Sequence, residues 1–279
     1  MNPADFDFVT SELKRRSGIV IGKDKLYLLD SRLSPLARKE GLASIEELIS
    51  VVRTRRDERL MAQIVDAMTT NETFFFRDKT PFDHLEKVVF PELSKARPGQ
   101  RIRILCAACS TGQEPYSIAM MLDQNPKLVG GAQVEIVAAD ISDRVLEKAK
   151  AGLYSQFEVQ RGLPIRYLMS YFTQQGDLWK LSDSIKSKVS FRKMNLLEPM
   201  NALGSFDVVL CRNVLIYFDL QTKRDILNRL SKQMNDKSYL LLGAAETVVG
   251  VCDAFAASKD NRGLYEKGGD GRRSGIRAA

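Results

Sequence analysis

The chain has 279 residues, 44% hydrophobic and 28% charged, with a formal net charge of +7. That suits a soluble globular protein with one large and one small domain. No apolar run reaches the roughly 18 residues a bilayer span needs, and Met1-Asn2-Pro3-Ala4-Asp5-Phe6 lacks the basic and apolar regions of a signal peptide, so a cytoplasmic location without membrane insertion is expected. Cys106, Cys109, Cys211 and Cys252 fit reduced thiols better than a disulfide framework. The one histidine, His84, reads as a helix-surface residue; so few histidines disfavour imidazole bases and histidine-bound metals, and no metal is expected. The first 73 residues carry twelve charges of each sign, so the basic excess lies beyond them, partly at Arg272, Arg273 and Arg277. A basic surface suits nucleic acid, an anionic membrane or an acidic protein, and does not choose among them.

Phe6, Val9 and Leu13 recur at helical spacing, with Gly18 placed to close the helix. Leu26, Leu29, Leu33 and Leu36 mark a second apolar stripe ending near Gly41. Ser44 and Glu47 form a capping-box signature for a third helix, and Leu60, Ile64, Val65 and Met68 pattern a fourth. Nothing here alternates with period two, so residues 1–70 are expected to form an all-α domain. Arg53, Arg55, Arg56 and Arg59 read either as a solvated face or as a docking surface for an acidic partner. Residues 71–98 are expected to hold an interdomain segment and a helix, with Thr80 as N-cap and Pro81 at its first position.

Over residues 99–267 the pattern changes. Strands are expected at 101–106, 134–139, 189–192, 206–211 and 239–242, with helices at 113–122, from Ser142 to Lys150, and from about Gln221 to Met234. Strands alternating with helices predict an α/β domain around a mostly parallel sheet. Residues 156–188 break the alternation with a helical piece (165–172) and a hairpin-like run around Gly176-Asp177, and are expected to be an insertion. Residues 268–279 lack periodic apolar positions and are expected to be disordered.

The turn Ala107-Ala108-Cys109-Ser110-Thr111-Gly112 joins the first strand to its helix. In open α/β sheets ligands bind beyond the strands' carboxyl ends, and small residues there let backbone approach them. Only Gly112 is a glycine, so a strict dinucleotide fingerprint is absent. Asp140 stands where nucleoside-binding folds place a carboxylate for the ribose hydroxyls; it also reads as a helix N-terminal aspartate before Ser142. Glu114, in the first turn after Gly112, suits the helix dipole or a cationic ligand. S-adenosylmethionine carries an ammonium and a sulfonium that NAD lacks, which favours a methyl donor. Cys106-Ala107-Ala108-Cys109 has the spacing of a redox dithiol or of half a zinc site, and equally suits small residues in a tight turn.

Three strings, Thr70-Asn71-Glu72-Thr73-Phe74-Phe75-Phe76-Arg77, Gly112-Gln113-Glu114-Pro115-Tyr116-Ser117 and Cys211-Arg212-Asn213-Val214-Leu215-Ile216-Tyr217-Phe218, together resemble the chemotaxis receptor glutamate methyltransferases (the CheR family), and the similarity runs from about Phe6 to Tyr265. The resemblance implies a helical N-terminal domain before a Rossmann-like S-adenosylmethionine-binding domain with a small inserted antiparallel β-subdomain. It carries cofactor contacts onto Asn71, Thr73, Arg77 and Glu114, the ribose onto Asp140, the adenine onto Asn195 and Leu196, and the methionyl part onto Asn213 and Val214. Asn71 and Asn195 also suit turn caps. Phe74, Phe75 and Phe76 read as hydrophobic packing rather than a base-stacking platform.

The implied reaction esterifies receptor glutamates. A glutamate is already ionised at neutral pH and needs no general base, which accords with the scarcity of histidine. Arg77 and Tyr217 are the candidates for steering the incoming carboxylate, Arg77 through its non-attacking oxygen or through the cofactor's carboxylate. The expected partner is the cytoplasmic domain of a methyl-accepting chemoreceptor, with no nucleic acid, and the protein itself is expected to be a monomer. Two alternatives are a nucleic-acid methyltransferase, against which Arg212-Asn213-Val214-Leu215 stands in place of an Asn/Asp-Pro-Pro-aromatic element, and a non-catalytic receptor-binding module that keeps the cofactor fold.

Overall fold

The computed structural model describes residues 1–268, so the tail expected to be disordered lies, beyond Gly268, outside the described residues. Four helices open the chain: α1 (Pro3–Ser17), α2 (Leu26–Lys39), α3 (Ile45–Arg55) and α4 (Glu58–Met68). Their apolar stripes meet in one core that includes Val9, Leu13, Leu29, Leu33, Leu48, Ile49 and Ile64, all fully buried. Gly18 closes α1 in the left-handed conformation, its N–H donating to the Lys14 carbonyl. Ser44 caps α3 by accepting from the Glu47 N–H, but the Glu47 carboxylate accepts from the Ala43 N–H at 2.7 Å, one residue earlier than a capping box requires.

Past a crossing segment, α5 (Thr80–His84) runs through a π-turn (Leu85–Val89) into α6 (Phe90–Ala96). Thr80 is the first helical residue rather than the cap; Lys79 holds that position at φ +44° and makes no side-chain capping bond. The sheet domain then adds β1 (Ile102–Ala107), α7 (Gln113–Gln124), β2 (Val134–Asp140) and α8 (Asp143–Ala151). The insertion comprises β3 (Leu153–Ser155), α9 (Gln156–Gln160), α10 (Ile165–Tyr171), β4 (Phe172–Gln175), β5 (Leu178–Leu181) and α11 (Asp183–Lys186). The chain ends with β6 (Val189–Lys193), β7 (Phe206–Cys211), α12 (Leu220–Lys232), β8 (Met234–Leu242), β9 (Phe255–Ala257) and β10 (Leu264–Lys267).

The main sheet has the order β6-β2-β1-β7-β8-β10-β9. Its first five strands are parallel, and β10 lies antiparallel between β8 and β9. Alternate residues supply two cores: Ile104, Cys106, Ile136, Ala138, Val208 and Leu210 face α7 and the insertion, while Leu105, Val137, Val209 and Leu240 face α12. Strand order reverses beside β1, whose neighbours β2 and β7 continue to opposite edges, which is where such sheets open a ligand crevice.

Three features escape the sequence pattern. The closing strands β9 and β10 are too short to show a period, β8 begins at Met234 with an irregular pairing near Lys237 (φ +56°), and the inserted sheet starts at Leu153, ahead of the expected Gln156. That sheet, of order β3-β5-β4, does not stand alone. Phe75 packs edge-on against Tyr154 at 5.0 Å and Phe172 at 5.6 Å, and Phe76 stacks on Tyr167 at 4.8 Å. The phenylalanine run is therefore a packing joint between crossing segment and insertion. Phe75→Ala is expected to cost about 3–5 kcal/mol, read as a lower urea midpoint at unchanged slope; an unchanged midpoint would show that the insertion is held elsewhere.

Candidate functional site: a cleft at the carboxyl edge of the sheet

β1 ends in a reversal that must reach α7 within five residues. Ala108 (φ +59°), Ser110 (φ +51°) and Gly112 (φ +93°) alternate into the left-handed region, which curls the turn so that Ala108, Cys109 and Ser110 line the cleft. Asp140, at the end of β2, holds the curl: its carboxylate accepts from the Ser110 N–H at 2.8 Å and the Ser142 N–H at 3.0 Å. The two readings of Asp140 are thus compatible. One oxygen orders the start of α8 and the other the turn, and a carboxylate's remaining lone pairs are free to accept from a ligand. Burial pushes the Asp140 carboxyl up, opposed by these N–H donors. Cys106 and Cys109 are buried and burial raises both thiols, the opposite of what a redox dithiol or a zinc thiolate needs, so the pair is packing in a tight turn.

Opposite the turn, Arg212 follows β7 with its side chain 2% exposed. It donates to the Glu114 carboxylate on α7 at 2.7 Å, to the Arg77 carbonyl at 2.8 Å and to the Asp78 carboxylate at 2.9 Å, while its Nε has no partner among the described residues. Glu114 is therefore already paired inside the protein, so a ligand cation there would share it with Arg212. Burial pushes the Glu114 carboxyl above its ordinary value, and the Arg212 guanidinium opposes the rise. Arg77 donates to the Glu72 carbonyl at 2.7 Å with its guanidinium 5.5 Å from the Phe74 ring centre; Arg161 of the insertion flanks the same ring at 4.4 Å and pairs with Glu72.

The helical domain roofs this floor. The Asn195 amide donates to the Arg16 carbonyl at the end of α1, and its oxygen accepts from the Leu197 N–H, so this side chain is committed to a turn and a clasp between domains. Val20 donates to the Tyr217 carbonyl, Lys14 pairs with Asp219, and Asp66 meets Ser142 and Arg144. The cleft between roof and floor encloses about 910 Å³ of non-atom space, open solvent at its mouth included. Asn71, Thr73, Arg77, Glu114, Asp140, Asn195, Leu196, Asn213, Val214 and Tyr217 all line it, from sequence positions as far apart as 71 and 217. Ser110 and Arg212 line it too, as do Ser17 and Ile19 of the roof; nothing in the sequence assigned them, since Ser110 and Arg212 take their places through distant partners and the roof residues arrive by domain packing. His84 is elsewhere, against the Arg262 carbonyl.

An open parallel sheet, reversing at β1 and finished by an antiparallel strand, with a crevice at that reversal, defines the class of S-adenosylmethionine-dependent methyltransferases. Residues 71–264 match the family model described as the CheR methyltransferase SAM binding domain, residues 4–69 match its all-alpha domain, and the chain belongs to the CheR methyltransferase family. It is 44% identical over 265 residues to Chemotaxis protein methyltransferase 1 of Pseudomonas aeruginosa, covering 94% of this chain and 96% of the relative. It is 42% identical over 266 residues to a chemotaxis protein methyltransferase of Pseudomonas putida (93% and 96% covered) and over 259 residues to one of Vibrio anguillarum (91% and 93%). S-adenosylmethionine is the cofactor, and the residues present fit it: small turn residues lining the cleft, a buried carboxylate with spare lone pairs, and a charged network beside them.

Arg212→Met is expected to cost about 3–5 kcal/mol, because it strands a buried carboxylate. Without Arg212 the folded-state pKa of Glu114 rises further above its unfolded value. Stability that depends on the protonated form is then lost as pH climbs through the raised pKa. Denaturation at pH 5 and pH 8 should therefore show the larger deficit at pH 8; equal deficits would mean that Glu114 does not feel the arginine.

Proposed function

We propose that this chain methylates glutamate side chains on the cytoplasmic domain of a chemoreceptor, using S-adenosylmethionine to form γ-glutamyl methyl esters. The observation that carries the reading is the placement of Arg77 and Tyr217 on the same cleft as Asp140 and the Glu114–Arg212 pair, in a chain whose relatives are named chemotaxis protein methyltransferases. When bound, the cofactor supplies a methyl group on a positively charged sulfur. The remaining work is positioning. Asp140 offers lone pairs suited to ribose hydroxyls, and Leu196 gives an apolar wall suited to the adenine. Asn213 and Val214, with Asn71 and Thr73 across the cleft, bracket the charged arm.

An anionic acceptor needs an entry with positive charge and no proton acceptor. Arg77 provides the charge. Its guanidinium, tethered to the Glu72 carbonyl and resting on Phe74, presents its remaining N–H groups to one oxygen of an incoming carboxylate. Tyr217, half-buried on the turn after β7, offers a hydroxyl to the same group. The end of α1 covers the cleft from one side through Ser17 and Ile19, and orientation of reacting groups supplies roughly 7–11 kcal/mol of barrier reduction at best.

Incubation with labelled donor and receptor cytoplasmic fragments should yield a base-labile methyl ester; label on nucleic acid, or none on the receptor, would overturn the assignment. Arg77→Ala and Tyr217→Phe should each slow transfer at least about tenfold, some 1.4 kcal/mol of barrier, with thermal midpoints unchanged. Parent rates would remove that residue from the mechanism. Asp140→Ala should weaken S-adenosylhomocysteine binding by about tenfold or more in calorimetry, since hydrogen bonds to a charged group contribute about 1.5–3 kcal/mol; unaltered affinity would move the ribose elsewhere.

A further inference from the structure

Glu246 lies in the loop after β8 and does not line the cleft. Its buried carboxylate nevertheless accepts four backbone N–H bonds. Oε2 takes those of Asn213 at 2.8 Å and Gly243 at 2.7 Å, and Oε1 takes those of Val214 at 2.9 Å and Leu215 at 2.7 Å. An ionised carboxylate has about four acceptor positions, and all are used. Three of the donors are consecutive residues of the segment that leaves β7. Successive N–H groups aimed at one point form the concave nest that normally holds a bound anion; here a side chain of the same protein fills it.

We propose that Glu246 is a positioning residue for methyl transfer: it fixes the curl after β7 that sets Asn213 and Val214 against the cofactor and Tyr217 against the acceptor. The curl is unfavourable in isolation. Asn213 adopts φ +57°, and the chain then turns at once into a short 3-10 helix, Leu215–Tyr217. Without an acceptor, the N–H groups of 213–215 would point together into a buried space, each costing about 1–3 kcal/mol when unpaired. Gly243 is an independent sign of how closely the two loops interlock. A Cβ there would stand 2.7 Å from Glu246 Oε2, 2.8 Å from the Asn213 amide nitrogen and 3.0 Å from the Asn213 backbone nitrogen. That is too close for any side chain unless the carboxylate and the curl move.

The roles given to Asn213, Val214 and Tyr217 rest on the function proposed above, so the test separates binding from turnover. In the full-length protein, Glu246→Gln keeps the shape but turns one oxygen into an NH2 group facing two N–H donors. Gly243→Ala keeps the carboxylate but displaces it. Both are measured by circular dichroism and thermal midpoint, by S-adenosylhomocysteine affinity in calorimetry, and by kcat and KM at saturating donor. Glu246→Gln is expected to retain the fold, to weaken product affinity at least about tenfold and to lower kcat at least about tenfold; Gly243→Ala should do the same to a smaller degree. Parent affinity and kcat per folded molecule, even with a lowered midpoint, would overturn the proposal and leave Glu246 a structural brace. Should Glu246→Gln fail to fold, Gly243→Ala decides by the same two readouts. A wrong acceptor would silence turnover in the parent as well, while the affinity differences between variants would persist.

Discussion

The cleft exists because a parallel sheet must turn its chain round at one edge, and each reversal leaves backbone N–H groups that the ladder no longer pairs. In this protein buried carboxylates take them. Asp140 gathers the N–H groups of Ser110 and Ser142 at the ends of β1 and β2, and Glu246 gathers four at the ends of β7 and β8. At the opposite edge Asp207 does similar work, accepting from the Arg103 N–H and pairing with Arg97. Paired in this way, turns with strained residues such as Ala108, Ser110 and Asn213 hold one shape and line the cleft.

The Glu114–Arg212–Asp78 network ties that edge to the crossing segment. Removing two charges from water is costly, and a buried ion pair is poor evidence of net stability. Its value here is geometric. Arg212 grips the carbonyl of Arg77, so the backbone of an entry-side residue is fixed from inside the sheet, while the Glu72 carbonyl and the Phe74 ring hold its side chain from outside. The insertion thus reaches the cleft through a shared aromatic ring, and the helical domain reaches it through the Asn195 clasp and the Lys14–Asp219 pair. Exposed pairs of this second kind contribute little individually, which suits a roof over a site where cofactor and product must exchange.

The sequence by itself determined the helical domain, because four amphipathic stripes with caps at Ser44 and Gly18 agree with one another, and it determined the parallel strands, whose apolar runs suit burial on both faces. It also singled out Asp140, Glu114 and the three strings, since their chemistry is written in local order. Tertiary structure alone decided the rest. Lone short strands such as β3, β9 and β10 have too few residues for a period and form only because a neighbouring edge offers hydrogen bonds. That the Asp140 carboxylate also orders the turn after β1 shows only in the fold, because Ser110 lies thirty residues away. Arg212 stood in plain sight within a quoted string, yet its partners Glu114 and Asp78 are 98 and 134 residues distant. Glu246 gave no local signal at all, because backbone donors carry no side-chain signature in the sequence. Which N–H groups lie within reach of a carboxylate is set by the packing of one strand end against another, and that distance is written nowhere in the order of the residues.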